Sequence, residues 1–287
     1  MSKSKSTSKN AQELPKIIPF TAVFLEKISS HFAVLFAAKL FTTPIKHKMP
    51  KREFEMDKNS RQSLLHIPEI KKEIMVYELG NGSKKVLLVH GWSGRGTQLF
   101  KIAETLVENG YSVVSFDAPA HGKSAGNSSI MVEFIASIKE IDKKFGPFES
   151  AIGHSLGGMA LFNAVKDGFK IKKLVTIGSG DVVKDIISEF ISKIKLKQST
   201  GLLLSKHFEK KYHKTMDSFS AYLSAKEVII PVLVIHDEND EDVPLYAAIH
   251  IHKQLQNGSL LITKKLGHRK ILGDENVISK TIDFIKN

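Results

Sequence analysis

An α/β fold, with a mainly parallel central sheet and helices on both faces, is what this chain predicts. Three observations carry that expectation. From Glu73 onward, short runs of β-branched and apolar residues alternate with stretches of helical periodicity. Several of the strand candidates run into polar or glycine-rich loops, and ligands in open parallel sheets bind beyond the carboxyl ends of the strands. The pentapeptide Gly153-His154-Ser155-Leu156-Gly157 stands between an apolar run and a helical pattern, where a serine can be presented on a sharp strand-to-helix turn.

At 287 residues the chain fits one catalytic domain with additions. Hydrophobic residues make up 42% and charged residues 25%, a balance that permits a sizeable core and excludes disorder over most of the length. Cysteine is absent, so disulfides, thiolate metal sites and cysteine nucleophiles are excluded, and a hydrolytic nucleophile here has to be oxygen. The formal charge of +12 is mostly lysine spread along the chain. Without interleaved aromatics or a groove-reading motif it reads as a solvated basic surface, and no nucleic-acid partner is expected.

The first segment, MSKSKSTSKN, is rich in Ser and Lys without apolar periodicity, so residues 1–12 are expected to form a disordered tail. Residues 13–72 read as a helical extension. Within it, residues 17–41 are strongly apolar but interrupted by Glu26, Lys27, His31 and Lys39, and the longest charge-free core, 32–38, falls short of the roughly 20 residues that cross a bilayer. A signal peptide fits poorly, because no small-residue cleavage site follows before Thr42, Thr43 and Pro44. Two readings of this stretch stand: a helix packed on the catalytic domain, or an interfacial amphipathic helix that holds a basic protein at a membrane surface.

The domain proper is expected over residues 73–287, with strands at 74–79, 86–90, 112–116, 150–153, 173–177, 231–236 and 260–263. Gly153 and Gly157 remove side chains that would collide where strand and helix approach around Ser155, and Gly158 extends that clearance. After the strand VLLVH comes His90-Gly91-Trp92-Ser93-Gly94, a loop able to aim backbone N–H groups at a ligand. In an acyl-transfer site the oxyanion donors would be the N–H of Leu156, just after the nucleophile, and that of Trp92.

An acid and a base follow in chain order. The loop HDENDEDVP after the strand PVLVI holds Asp240, with Asp237 and Asp242 competing for the same role. Of twelve histidines, His268 comes after nucleophile and acid and also sits beyond a strand end. The order Ser, Asp, His is that of one hydrolase architecture and differs from the chymotrypsin and subtilisin orders. No H-E-x-x-H spacing and no G-x-G-x-x-G or G-x-x-x-x-G-K loop after a strand is present, so neither a metal nor a cofactor is expected.

Taken together, HGW after a strand, FDAPAHGKS, GHSLGG, HDENDEDVP and LGH resemble the α/β-hydrolase fold superfamily, and within it bacterial serine-type α/β hydrolases, over residues 76–287. That resemblance implies Ser155 as nucleophile, Asp240 as acid and His268 as general base. Asp237 replaces the usual glycine of its motif, and His121 stands where many relatives carry glycine. Asp117 then reads as a turn anchor, and His121 and His154 as the imidazoles that contact substrate or support the pocket. The resemblance also implies a small helical cap at about 181–228. There Ile186, Ile187, Phe190, Ile191 and Ile194 recur at helical spacing as cap core, and Lys193, Lys195, Lys197, Lys210 and Lys211 form a basic surface, solvated or attracting an anionic acyl substrate. A serine in the elbow argues against haloalkane dehalogenase and epoxide hydrolase chemistry. The expectation is a cytoplasmic carboxylesterase or lipase-like enzyme acting on a small-molecule acyl substrate. A catalytically silent scaffold that binds a ligand or partner, and a lipid hydrolase held at the membrane surface by residues 17–41, are the alternatives.

Overall fold

A computed structural model describes residues 15–287, and the tail expected over 1–12 lies outside the described residues. Eight strands, β1 Arg61–Ile67, β2 Lys72–Leu79, β3 Lys84–Val89, β4 Tyr111–Asp117, β5 Ser150–His154, β6 Lys173–Ile177, β7 Val232–Asp237 and β8 Gly258–Thr263, form one sheet in the order β1-β2-β4-β3-β5-β6-β7-β8. Only β2 runs antiparallel to its neighbours, and the pairs from β4 through β8 are all parallel. The central strands are apolar and buried on both faces, as a parallel sheet covered by helices requires.

The seven expected strands are all in place, with ends shifted by no more than two residues. The eighth, β1, corrects the reading of residues 13–72 as helical throughout. Its sequence RQSLLHI buries Leu65 and Ile67 and turns Leu64 outward, a period-two pattern that pairing with β2 stabilises. A seven-residue run at the sheet edge takes its strand character from that partner rather than from its own propensity.

The helices are α1 Ile17–Ile28, α2 Ser30–Phe41, α3 Phe54–Asn59, α4 Phe100–Glu108, α5 Met131–Phe145, α6 Leu156–Lys166, α7 Val183–Lys193, α8 Gln198–Tyr212, α9 Ala221–Ala225, α10 Tyr246–Gln254, α11 Gly267–Lys270 and α12 Glu275–Lys286. Phe134, Ile138 and Leu161 of α5 and α6 fill one face of the sheet, and Ile102, Leu106, Ile282 and Ile285 of α4 and α12 fill the other. Helices α7, α8 and α9 occupy the connection between β6 and β7.

The apolar stretch near the N-terminus is two helices, not one. Ser29 breaks it in extended conformation (φ −161°, ψ 130°), and its hydroxyl accepts from the N–H of His31 at 3.2 Å as the N-cap of α2. Both helices reach the inserted ones. Glu26 Oε1 accepts from the Lys197 N–H (3.1 Å) and the Thr200 hydroxyl (2.5 Å) at the start of α8. The Phe41 ring packs against Phe190 and Phe208 at centroid distances of 5.1 and 5.7 Å. Among the described residues no helix is long and apolar enough to cross a membrane.

Candidate active site

Strand β5 ends at His154, Ser155 forms the turn with φ 52° and ψ −120°, and α6 begins at Leu156. For a residue with a side chain that conformation costs on the order of 1–3 kcal/mol, so the surroundings must hold it. They do so from two sides: the Ser155 N–H donates to Ile177 O of β6, and the Gly158 N–H donates to Ser155 O, both at 3.0 Å. A Cβ on Gly153 would lie 2.6 Å from Gly158 N, and one on Gly157 would collide with the Val89 carbonyl of β3. The glycines are therefore what lets α6 start this close to two strands.

The loop after β3 passes equally near. A Cβ on Gly91 would lie 2.8 Å from Cβ of Ser155, so this glycine brings Trp92 beside the serine. Among the described residues neither the Trp92 nor the Leu156 N–H donates to a protein acceptor. Both residues line one cavity of about 460 Å³ together with His154, Ser155 and His268.

Lining the same cavity, His268 donates from Nδ1 to Asp240 Oδ2 at 2.7 Å, with side-chain exposures of 10% and 1%. The second oxygen of Asp240 accepts from the N–H groups of Asp242 (2.9 Å) and Val243 (2.8 Å), which fixes the carboxylate. Gly178, at φ +57°, clears the space beside the pair, since a Cβ there would lie 3.2 Å from Nδ1 of His268. With Nδ1 committed to Asp240, Nε2 is the imidazole nitrogen left for proton transfer. Among the described residues no hydrogen bond joins it to Ser155 Oγ.

Asp237 has a different task. It is fully buried and accepts from Asn239 N (3.0 Å), Gly267 N (2.9 Å), Leu266 N (3.1 Å) and the Thr263 hydroxyl (2.7 Å). Burial acts to raise its pKa, but those donors, Gly267 foremost, hold it below the ordinary value. It thus ties the end of β7 to the loop that carries His268. Asp242 sits at the rim, 3.9 Å from Arg269.

The two imidazoles expected to face substrate separate. His154 lines the cavity but is almost wholly buried; its Nε2 donates to the His268 carbonyl at 2.9 Å, and its ring lies 4.6 Å from that of His268. Burial, followed by the neighbouring His268, holds its pKa well below the ordinary value, so it is a neutral support. His121 does not line this cavity. Its ring packs edge-on against Trp92 and Phe134 and tilted against His90, Nδ1 donates to Pro119 O at 2.9 Å, and burial lowers its pKa to about 3. These aromatic contacts draw it behind the oxyanion-side loop, where it faces a separate cavity of about 180 Å³. Asp117 beside it accepts from Gly96 N (2.6 Å), Lys123 N (2.6 Å) and the Tyr77 hydroxyl (2.8 Å), as a turn anchor should.

Several cavity residues were beyond sequence reasoning. Leu40 and Phe41 arrive from α2, and Ile130 and Met131 from the start of α5. The five apolar residues expected as cap core divide by helical face: Ile187, Ile191 and Ile194 are buried, while Ile186 and Phe190 line the cavity. Of the expected basic surface only Lys193 reaches the cavity, whose charged lining also includes Arg269 and the acids Asp181, Asp185, Glu189 and Asp242. Among the described residues no group of three or more His, Asp or Glu is arranged to hold a metal ion.

Residues 84–210 match the family described as the alpha/beta hydrolase fold, and residues 213–287 match that of a TAP-like protein. Among solved structures, an esterase of Pyrococcus furiosus superposes with a TM-score of 0.66 at 16% identity, covering 85% of this chain and 97% of its own. An Exiguobacterium antarcticum esterase gives 0.63 at 17% identity (79% and 100% covered), and Est1E of Butyrivibrio proteoclasticus, solved with ferulic acid, gives 0.60 at 19% (78% and 100%). No curated protein matches the chain by sequence. At these identities the structural likeness is one of fold, and with the two family matches, the sheet order and the strand-to-helix turn at Ser155, it establishes that the chain belongs to the α/β-hydrolase fold superfamily.

Proposed function

We propose that this protein is a serine hydrolase that cleaves carboxylic esters, with thioesters and amides open to the same chemistry. The observation that carries the reading is Ser155 on its strained turn, sharing a cavity with an Asp240–His268 pair bonded at 2.7 Å. In this reading His268 Nε2 takes the Ser155 proton as Oγ attacks the carbonyl, and Asp240 stabilises the resulting imidazolium. The N–H groups of Trp92 and Leu156 hold the oxyanion, each contributing about 3 kcal/mol of transition-state stabilisation. His268 then protonates the leaving group, and water, activated by the same imidazole, releases the acid.

The substrate follows from the walls. Leu40, Phe41, Ile130, Met131, Ile186 and Phe190 favour an apolar acyl group. Helices α7 to α9, joined by α2, serve as the cap. Esterase neighbours, one of them solved with ferulic acid, support a small-molecule ester.

A fluorophosphonate probe tests this directly. Labelling should map by mass spectrometry to Ser155 alone, and Ser155→Ala should lose both the adduct and about 10⁴–10⁶-fold in kcat on the best ester of a chain-length panel. The scaffold reading draws on the absent Ser155–His268 hydrogen bond. A wild-type protein that is neither labelled nor active would favour it, whereas full turnover by Ser155→Ala would move the nucleophile to another residue.

A further inference from the structure

Helices α1 and α2 expose an unusual amount of apolar surface. On α1, Ile17, Phe20, Phe24 and Ile28 are 55–69% exposed and fall within one face of the helix, opposite the fully buried Ala22. On α2, Phe32 and Leu35 are 52% and 43% exposed, opposite Ala33 and Ala37. Single exposed apolar residues need no explanation, but six on two consecutive helices do.

The charges of the same helices are sorted. Lys16, Lys27 and Lys39 are exposed, and the helical period places them beside the apolar face. The only acid of the two helices, Glu26, lies on the opposite side of α1 and is committed to the start of α8. The ten residues at the N-terminus of the sequence add three lysines and no acid, and the whole chain carries +12. An aromatic and aliphatic face flanked by cations, with its one anion turned inward, is complementary to a surface that is apolar beneath and anionic above.

We propose that α1 and α2 dock this protein onto an anionic lipid bilayer. Aromatic and aliphatic side chains enter the boundary between headgroups and acyl chains, and the lysines lie at the level of the lipid phosphates. The docking helices are also cavity walls, since Leu40 and Phe41 of α2 line the space around Ser155. A docked molecule therefore holds that cavity close to the bilayer, which is where an apolar acyl substrate would concentrate.

The test is co-sedimentation of the full-length protein with vesicles of phosphatidylcholine and phosphatidylglycerol at 2:1, against phosphatidylcholine alone. It reads partitioning, not turnover, so its result is independent of the chemistry assigned to Ser155. Binding should be strong on the anionic vesicles and fall with added salt. Phe20→Ser with Phe24→Ser should abolish it while leaving the circular-dichroism melt unchanged, because both side chains are exposed. Lys16→Ala, Lys27→Ala and Lys39→Ala together should weaken it by on the order of a hundredfold. Absence of wild-type binding, or binding unmoved by either set of substitutions, would overturn the proposal. So would a dimer in light scattering that the two Phe→Ser substitutions dissociate, since the face would then belong to a second copy of the chain.

Discussion

Two strand ends in this molecule each bring an aspartate and a histidine close together, yet they are built for different ends. Beyond β4, both carboxylate oxygens of Asp117 are taken by Gly96 N, Lys123 N and the Tyr77 hydroxyl, and His121 is sealed among Trp92, His90 and Phe134. Beyond β7, Asp240 uses one oxygen on the backbone and keeps the other for His268, whose ring borders an open cavity. Asp237, three residues earlier on the same strand end, behaves like Asp117: all its partners are donors that lock a turn. What separates an anchor from a candidate catalytic acid is the acceptor capacity left after the backbone has been satisfied, and whether the imidazole it holds meets solvent or aromatic rings.

The sharpest way to break this comparison is to remove the charge at each aspartate of the β7 end. Asp240→Asn should lower kcat by about 10⁴-fold with little change in stability, because it takes away the group that sets the His268 tautomer. Asp237→Asn should show the reverse balance: a loss of about 2–4 kcal/mol in urea unfolding, from buried donors left without charged acceptors, and a much smaller fall in turnover per folded molecule. A larger kcat loss at Asp237, measured at equal folded fraction, would transfer the acid's role to that residue.

A second, smaller effect concerns acid. His90, His121, His154 and His236 are all buried, and burial lowers the pKa of each, to about 4 for His90 and about 3 for His121. A histidine with a depressed folded pKa binds its proton in the unfolded chain first, near pH 6.5, and in the folded one only later. Stability is therefore full above that unfolded value and declines as pH falls through the window from about 6.5 toward 4, by as much as about 1.4 kcal/mol per pH unit for each group still titrating. Urea midpoints at pH 7, 6 and 5 should descend accordingly. A flat profile would mean that these rings are protonated inside the fold.

How much of this was legible beforehand depends on whether the deciding interaction is local. The seven predicted strands and the elbow around Ser155 carry their reasons within a few residues: apolar runs, and glycines where backbones cross. Strand β1 does not, since RQSLLHI becomes a strand only by pairing with β2. The division of Ile186 and Phe190 from Ile187, Ile191 and Ile194 required knowing which side of α7 meets the cavity. The acidic loop HDENDEDVP offered three aspartates within reach of one histidine, and spacing alone could not rank them. The ranking depends on the end of β8 and the loop after it, whose residues lie 26 to 30 positions further on than the groups they bond. Likewise FDAPAHGKS announces a turn with a histidine in it, but not that Trp92 and Phe134, from two other elements, would enclose the ring.

His121 provides the finest discrimination and the smallest expected effect. If it is a packing group, its ring shape matters and its nitrogens matter little: Nδ1 makes one hydrogen bond to Pro119 O, and Nε2 is buried without a partner. His121→Phe keeps a flat ring against Trp92 and Phe134 and removes the unpartnered nitrogen, offsetting the lost hydrogen bond of about 1 kcal/mol. Stability at pH 7 should thus stay within about 1 kcal/mol of wild type, and kcat/KM within about threefold. Because one group with a depressed pKa has gone, the descent of stability below pH 6.5 should become shallower. A hundredfold drop in kcat/KM with an unchanged melt would instead mean that substrate reaches the imidazole, and the β4 end would join the β7 end as part of the working site.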